Sequence, residues 1–558
     1  MSSIHGLTIS LDLLGSIKKG WRDFENRLQS EGHSRSPKER QRIAEFHPLR
    51  RATIVLCALS CRPDPFPLSF YTDVVTLPTS QEVPKPSYWV GFQGLYARFY
   101  AWLLRRMPSE RQRLLAVTIL SGGLCGLAAV AFHLSIMGLE TLFIDRANGA
   151  SGHKWIWWTI VSPTIGGLVA GVGLTYFAPA AAGSGIPQVK VAYTLRSGIV
   201  TVHETIGKFV LCALQIGSGA SLGLEGPTVQ VCAGVSSMLA RLARLGPKNS
   251  RRMASVGMAA GIAAAFNAPI AAVTFTLEEL IGDLDQTMLS GVIVAAALSA
   301  VVEHSILGSN PVFHVNGNYQ LTKTSSLVWY ALLGLLAAIV SVAFTDSLLA
   351  VRAWFRRLIG VPRWVHPAIG GAATGGMAVL ALALFHLNGI AGDPYKTLTL
   401  ALTGKMTVTA MAVFCVLKLA STVSSYSSGG SGGIFAPALF MGAMLGGAVG
   451  YLDVIVFDHS ADSIGAFAVV GMGAVFAGIV RAPMTSVLII FEMTGGYGLV
   501  LPLMIANMSA FALARHWRRT PVYEALLVQD DIYLPHGSGP FDTGDNESLP
   551  GLDGDNAH

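Results

Sequence analysis

The 558-residue sequence is poor in charge: Asp, Glu, Lys and Arg make up only 13% of it. An ordinary soluble protein carries roughly a quarter. This scarcity excludes a chain that wraps a charged surface around a core in water. Long polar linkers are scarce too. From about Leu114 to Leu513 apolar blocks follow one another across short polar breaks, where a soluble chain of this length would divide into several domains. Paired cysteines are missing as well. Cys57, Cys61, Cys125, Cys212, Cys232 and Cys415 form no CxxC unit and have no histidine at ligand spacing, which excludes a zinc site or a disulfide framework and leaves no metal or cofactor to expect. A membrane metalloprotease is excluded on the same residues. His203 and Glu204 open a string like HExxH, but the position of the second histidine holds Gly207.

What is present is apolar: 52% of residues are hydrophobic. Leu114 to Phe143 has only His133 and Glu140 as clearly polar interruptions, longer than the roughly 20 residues a bilayer core requires. Further candidate spans run at about 155–178, 203–222, 253–277, 287–302, 326–350, 366–387, 408–422, 434–451, 464–480 and 498–514. The 61 glycines and 26 prolines fit tight helix packing and interrupted helices. Long spans followed by glycine-broken ones recur in residues 114–303 and 326–523, the pattern of an inverted repeat with a midplane site.

Arg105, Arg106, Arg111 and Arg113 precede the first span, and Arg515, Arg518 and Arg519 follow the last. The positive-inside rule places both termini in the cytoplasm. Basic clusters at Arg241 to Arg252 and Arg352 to Arg363 read as cytoplasmic loops rather than a nucleic-acid surface. Four regions are expected. Residues 1–90 are a disordered cytoplasmic region without a signal peptide, and 91–112 form an interfacial amphipathic helix. Residues 113–525 are the membrane domain, and 526–558 are a disordered tail with six carboxylates and no Lys or Arg after residue 530.

Three glycine and proline segments carry the chemistry. The first is Gly183, Ser184, Gly185, Ile186, Pro187, the second Gly223, Leu224, Glu225, Gly226, Pro227, and the third Gly433, Ile434, Phe435, Ala436, Pro437. Each proline suits a helix's first turn, so each segment precedes or opens a helix N-terminus, whose free N–H groups and partial positive charge attract anions. Glu225 stands in such a turn. An ionised carboxylate there can occupy an anion's place and a protonated one can leave, whereas in water the same residue would merely offset the helix dipole.

In this order GSGIP, GLEGP and GIFAP resemble the signature segments of the CLC family of chloride channels and transporters. The similarity runs over about 113–525 and includes Asn267, Ala268, Pro269 and the pair Glu278, Glu279. It implies an all-α polytopic inverted repeat of tilted and broken helices, assembled as a homodimer with one pore per subunit. The resemblance further implies that Ser184, Gly185, the amides of Ile434 and Phe435, and the Tyr523 hydroxyl bind chloride. Glu225 would be the gating glutamate, Glu279 the internal proton glutamate, and Lys208 an electrostatic support that contacts a carboxylate or raises the potential. The expected activity is chloride/proton antiport, with bromide or nitrate as further anions; a passive voltage- or pH-gated chloride channel is the alternative. About 35 residues follow Tyr523, so a bacterial-type core in an inner membrane without appended regulatory domains is expected. Leu224 stands where the family commonly has arginine, and Gln188 and Lys190 stand where some exchangers carry acids, which implies a less positive outer vestibule and leaves the proton route open.

Overall fold

The computed structural model describes residues 109–148, 153–281, 286–308, 326–392, 394–457 and 462–534. A first set of helices comprises α1 (Glu110–Asn148), α2 (Lys154–Tyr176), α3 (Ile186–Leu195), α4 (Val202–Gly217), α5 (Glu225–Leu242), α6 (Pro247–Phe266), α7 (Pro269–Thr276) and α8 (Gln286–Leu307). A second set follows in the same order of long and short: α9 (Ser326–Arg357), α10 (His366–Phe385), α11 (Tyr395–Leu402), α12 (Val408–Ser427), α13 (Phe435–Phe457), α14 (Asp462–Val480), α15 (Pro483–Thr494) and α16 (Val500–Trp517). A last helix, α17, spans Val522–Gln529. Among the described residues nine helices are long and apolar enough to cross a membrane, and β-structure is limited to two isolated bridges.

The two sets pack alike. α1 lies against α8 as α9 lies against α16, and α5 against α6 as α13 against α14. The sets meet where α2 crosses α10 and α7 crosses α15. At the first crossing a Cβ on Gly167 would come within 2.3 Å of the Pro367 carbonyl oxygen, and one on Gly371 within 2.1 Å of that of Pro163. Without a hydrophobic force between helices in lipid, such backbone contact supplies the packing.

The expected single crossing at 253–277 is two helices. Asn267 adopts the left-handed conformation (φ 53°) and Pro269 cannot donate to the preceding turn, so the chain breaks between α6 and α7. Arg481 (φ 70°) and Pro483 break α14 from α15 in the same way. Residues 1–90 and most of the expected interfacial helix lie outside the described residues; Glu110, Arg111 and Gln112 belong to α1. Of the tail expected from 526, the first residues are instead ordered, because α17 continues to Gln529 and Asp530 pairs with Arg352 and Arg356 of α9; residues 535–558 lie outside the described residues.

A reciprocal clamp joins the short helices of the two sets. Glu278, in a single π turn after α7, accepts from the amides of Met484 (3.2 Å) and Thr485 (2.9 Å) at the start of α15. Glu492, near the end of α15, accepts from Ile270 (3.0 Å) and Ala271 (2.7 Å) at the start of α7. Each carboxylate satisfies N–H groups that have no partner within their own helix. Replacing Glu492 with Ala should cost about 2 kcal/mol, since charge-assisted hydrogen bonds are lost and two amides stranded. Thermal unfolding in detergent micelles measures it, and an unchanged midpoint would show that the clamp does not hold the halves together.

Candidate functional site

The three glycine segments meet at the centre of the fold. Gly183 donates to the Gly430 carbonyl (2.9 Å) and accepts from Gly432 (3.1 Å), while Gly223 and Gly433 exchange both backbone bonds at 2.7 and 2.6 Å. These links place the starts of α3, α5 and α13 side by side. The approach is close enough to require glycine: a Cβ on Gly185 would lie 2.5 Å from the Gly226 carbonyl oxygen, and one on Gly226 2.7 Å from Ser184 Oγ. Gly185 itself has φ 103°, which only glycine adopts without strain.

Ser184 is fully buried, and its amide donates to the Tyr426 hydroxyl at 3.3 Å. Tyr523, at the first turn of α17, is fully buried as well. The hydroxyls of Ser184 and Tyr523 are near enough to influence one another electrostatically. By distance and angle neither reaches a hydrogen-bond partner in the protein. Ile434 and Phe435, also buried, bring first-turn amides of α13. The Phe435 ring is fixed among Phe266, Phe275 and Phe476, with centroids at 5.4, 5.3 and 4.6 Å.

Glu225 is 1% exposed. Its carboxylate accepts from the Ala436 amide (3.4 Å) at the start of α13 and from the Tyr395 hydroxyl (3.3 Å) at the start of α11. Room for it comes from Gly223, where a Cβ would stand 2.3 Å from Glu225 Oε2. The carboxylate therefore sits where helix N-termini would hold an anion.

Lys208 reaches no carboxylate. Its fully buried ammonium donates to the carbonyls of Ala181 (3.0 Å) and Gly183 (2.5 Å), fixing the loop that carries Ser184. Turning carbonyl dipoles toward the cation also keeps them from facing an anion. The lysine that does pair with carboxylates is Lys190 of α3, 2.8 Å from Glu279 and 3.3 Å from Glu524. Glu279 lies in the π turn after α7 and is 6% exposed, so it is an enclosed ion-paired group and not a solvated helix end. Glu279 and Glu225 both act electrostatically on Tyr523, which stands in reach of the two.

Sequence reasoning missed Lys190 as the partner of Glu279, and Tyr395 and Lys418 altogether. Lys418 carried a readable signal, because it stands as far before Gly433 as Lys208 stands before Gly223. It does the equivalent work, donating to the carbonyls of Gly389 (3.0 Å) and Ile390 (3.2 Å) in the loop before α11.

Comparison with known proteins identifies the family and the fold. The profile described as "Voltage gated chloride channel" matches residues 166–515. Proteins named H(+)/Cl(-) exchange transporter ClcA from Salmonella arizonae and Salmonella typhi are each 30% identical to this chain, over 76% of it and 91% of their own length. Among solved structures, a slow cyanobacterial Cl-/H+ antiporter superposes with a TM-score of 0.69 at 25% identity, covering 75% of this chain and 98% of the other. A eukaryotic CLC transporter shares the fold, with a TM-score of 0.64 at 22% identity over 75% of this chain and 74% of the other. The chain is a multi-pass membrane protein and belongs to the voltage-gated chloride channel, or CLC, family.

Proposed function

We propose that this chain exchanges chloride for protons across the membrane, with Glu225 as the gate. The observation that carries this reading is the pair of buried hydroxyls, Ser184 and Tyr523, that find no partner in the protein beside clustered helix N-termini. Buried polar groups are almost always satisfied, so these donors are matched to something that comes and goes. Hydroxyls and amides without a fixed contacting cation suit a monovalent anion, held well enough to enter and weakly enough to leave. Relatives named as chloride/proton exchangers support the substrate pair; bromide and nitrate would share the site.

Glu225 competes with that anion. Ionised, it takes the N–H of Ala436 and closes the path; protonated, it loses its claim on these donors, and an anion replaces it. Glu279, with Lys190 and Glu524 beside it, passes the proton on the inner side. Orientation is supported by the basic ends of α1, α5, α9 and α16, which share one face: Arg113 donates to Ala243 (3.1 Å), and Arg518 pairs with Asp346. That face is cytoplasmic, with both termini, in a bacterial inner membrane. The functional unit is a homodimer with a pore in each subunit; a monomeric mass in detergent would contradict it.

Replacing Ser184 with Ala and Tyr523 with Phe should weaken chloride binding about tenfold, the loss of two hydrogen bonds to an ion offset by water entering. Isothermal calorimetry measures this, and unchanged affinity would remove the site. Exchange itself is tested in proteoliposomes under a pH gradient. The zero-current voltage should depart from the chloride equilibrium potential; a voltage that stays there identifies a passive channel.

A further inference from the structure

The repeat assigns a second role beside Glu225, resting on the proposal that Glu225 is the gate. Two loops precede the short helices α3 and α11, and each is held by a buried lysine from the following long helix. Lys208 of α4 holds the first through Ala181 and Gly183, and Lys418 of α12 holds the second through Gly389 and Ile390. The first loop delivers Ser184 to the anion path. The second delivers Tyr395, whose hydroxyl lies 3.3 Å from Glu225 Oε1. Thr397 Oγ1, bonded to the Asn388 carbonyl, and the side chain of Glu140 packed against Gly392 fix the same loop.

We infer that Tyr395 is a positioning residue for the gate: its hydroxyl latches the ionised carboxylate of Glu225 in the closed position from the outer side. Two features of the geometry support the latch. The hydroxyl and the Ala436 amide both donate, one to each carboxylate oxygen, an arrangement that suits an ionised acceptor. Tyr395 also lines a 570 Å³ cavity on the face opposite the basic one, together with Leu224, where the family commonly has arginine. The hydroxyl thus reaches the gate from the wall of this cavity.

The latch has a signed consequence. A donor that stabilises the ionised, closed carboxylate makes opening require more acid, so removing it moves opening to higher pH. Other charged and titratable groups lie around the site. In the outer cavity these are His133, Glu140 and Asp145 of α1, Glu303 of α8 and Lys396 of α11. Inside the fold they are Cys212, beside Lys208 on α4, and Tyr523. None is altered by a Tyr395→Phe change, which keeps the ring and removes only the hydroxyl.

The experiment measures chloride efflux and proton uptake in proteoliposomes holding the full chain, against external pH, for wild type, Tyr395→Phe, Glu225→Gln and the double variant. Tyr395→Phe should shift the midpoint of chloride efflux upward by about one to two pH units, the worth of one hydrogen bond to a charged group. In the Glu225→Gln background the same change should alter nothing, because the latch has no carboxylate to hold. An unshifted Tyr395→Phe midpoint, with Glu225→Gln insensitive to pH, overturns the latch and leaves the gate standing. A shift that persists in the double variant means that Tyr395 acts through another group, which also overturns it. If Glu225→Gln itself keeps its pH dependence and proton coupling, the gate fails, and the latch with it.

Discussion

Glu225→Gln should carry chloride without moving protons. The carboxamide is isosteric with the carboxylate and still fits the space left by Gly223, so the fold around it is preserved. What it lacks is charge and a titratable proton. A neutral amide competes weakly with chloride for the Ala436 amide and the other helix-end donors, because charge-assisted hydrogen bonds are roughly twice as strong as neutral ones. The anion path is then open at every pH, and efflux should lose most of its dependence on external pH. Proton uptake driven by a chloride gradient should fall to the leak of protein-free liposomes, since no group alternates with the anion. Paired chloride-electrode and pH-electrode recordings on the same vesicles make the measurement. Proton pumping that survives the substitution would place the gate elsewhere.

Which parts of this protein were legible in the sequence follows from the physics of each. Long apolar runs declare themselves because lipid forbids charge along their length, so α2, α10 and α14 were read to within two residues at either end. The break at Asn267 was harder to see, since the apolar pattern runs straight through it and only the left-handed asparagine before Pro269 interrupts the hydrogen-bond ladder. Glycine segments that open helices were legible as anion-attracting ends, because the chemistry lies in the local backbone. Side-chain partners from distant positions were not. Lys190 meets Glu279 across 89 residues, Tyr395 meets Glu225 across 170, and nothing local to either predicts the meeting. Lys208 shows the same limit from the other side: an intramembrane ammonium must find acceptors, but whether these are carboxylates or carbonyls is settled only by the loop folded against it.

The inner proton route should depend on Glu279 and be tuned by Lys190. Glu279→Gln is the sharper substitution than Ala, because a carboxamide still offers Lys190 an oxygen at the position now 2.8 Å away, and Glu524 keeps a carboxylate 3.3 Å from the same ammonium. An alanine would leave the buried ammonium with Glu524 alone and open space beside it, confusing loss of the relay with loss of structure. Without a titratable group there, proton transport should fall by roughly two orders of magnitude, the range in which a positioned acid or base acts. Chloride movement should continue, since the hydroxyls of Ser184 and Tyr523 and the first amides of α13 remain in place. Lys190→Met tests the tuning. The ammonium favours the ionised form of Glu279, so its removal lets the relay bind protons more readily, and half-maximal proton transport should move to higher internal pH. Glu524 loses its partner in the same variant but lies nearer solvent, its side chain 37% exposed, and tolerates that loss. Proton flux undiminished in Glu279→Gln would remove the residue from the route. An unshifted internal pH profile in Lys190→Met, with Glu279→Gln inactive for protons, would leave the relay intact and reduce the buried lysine to a packing role.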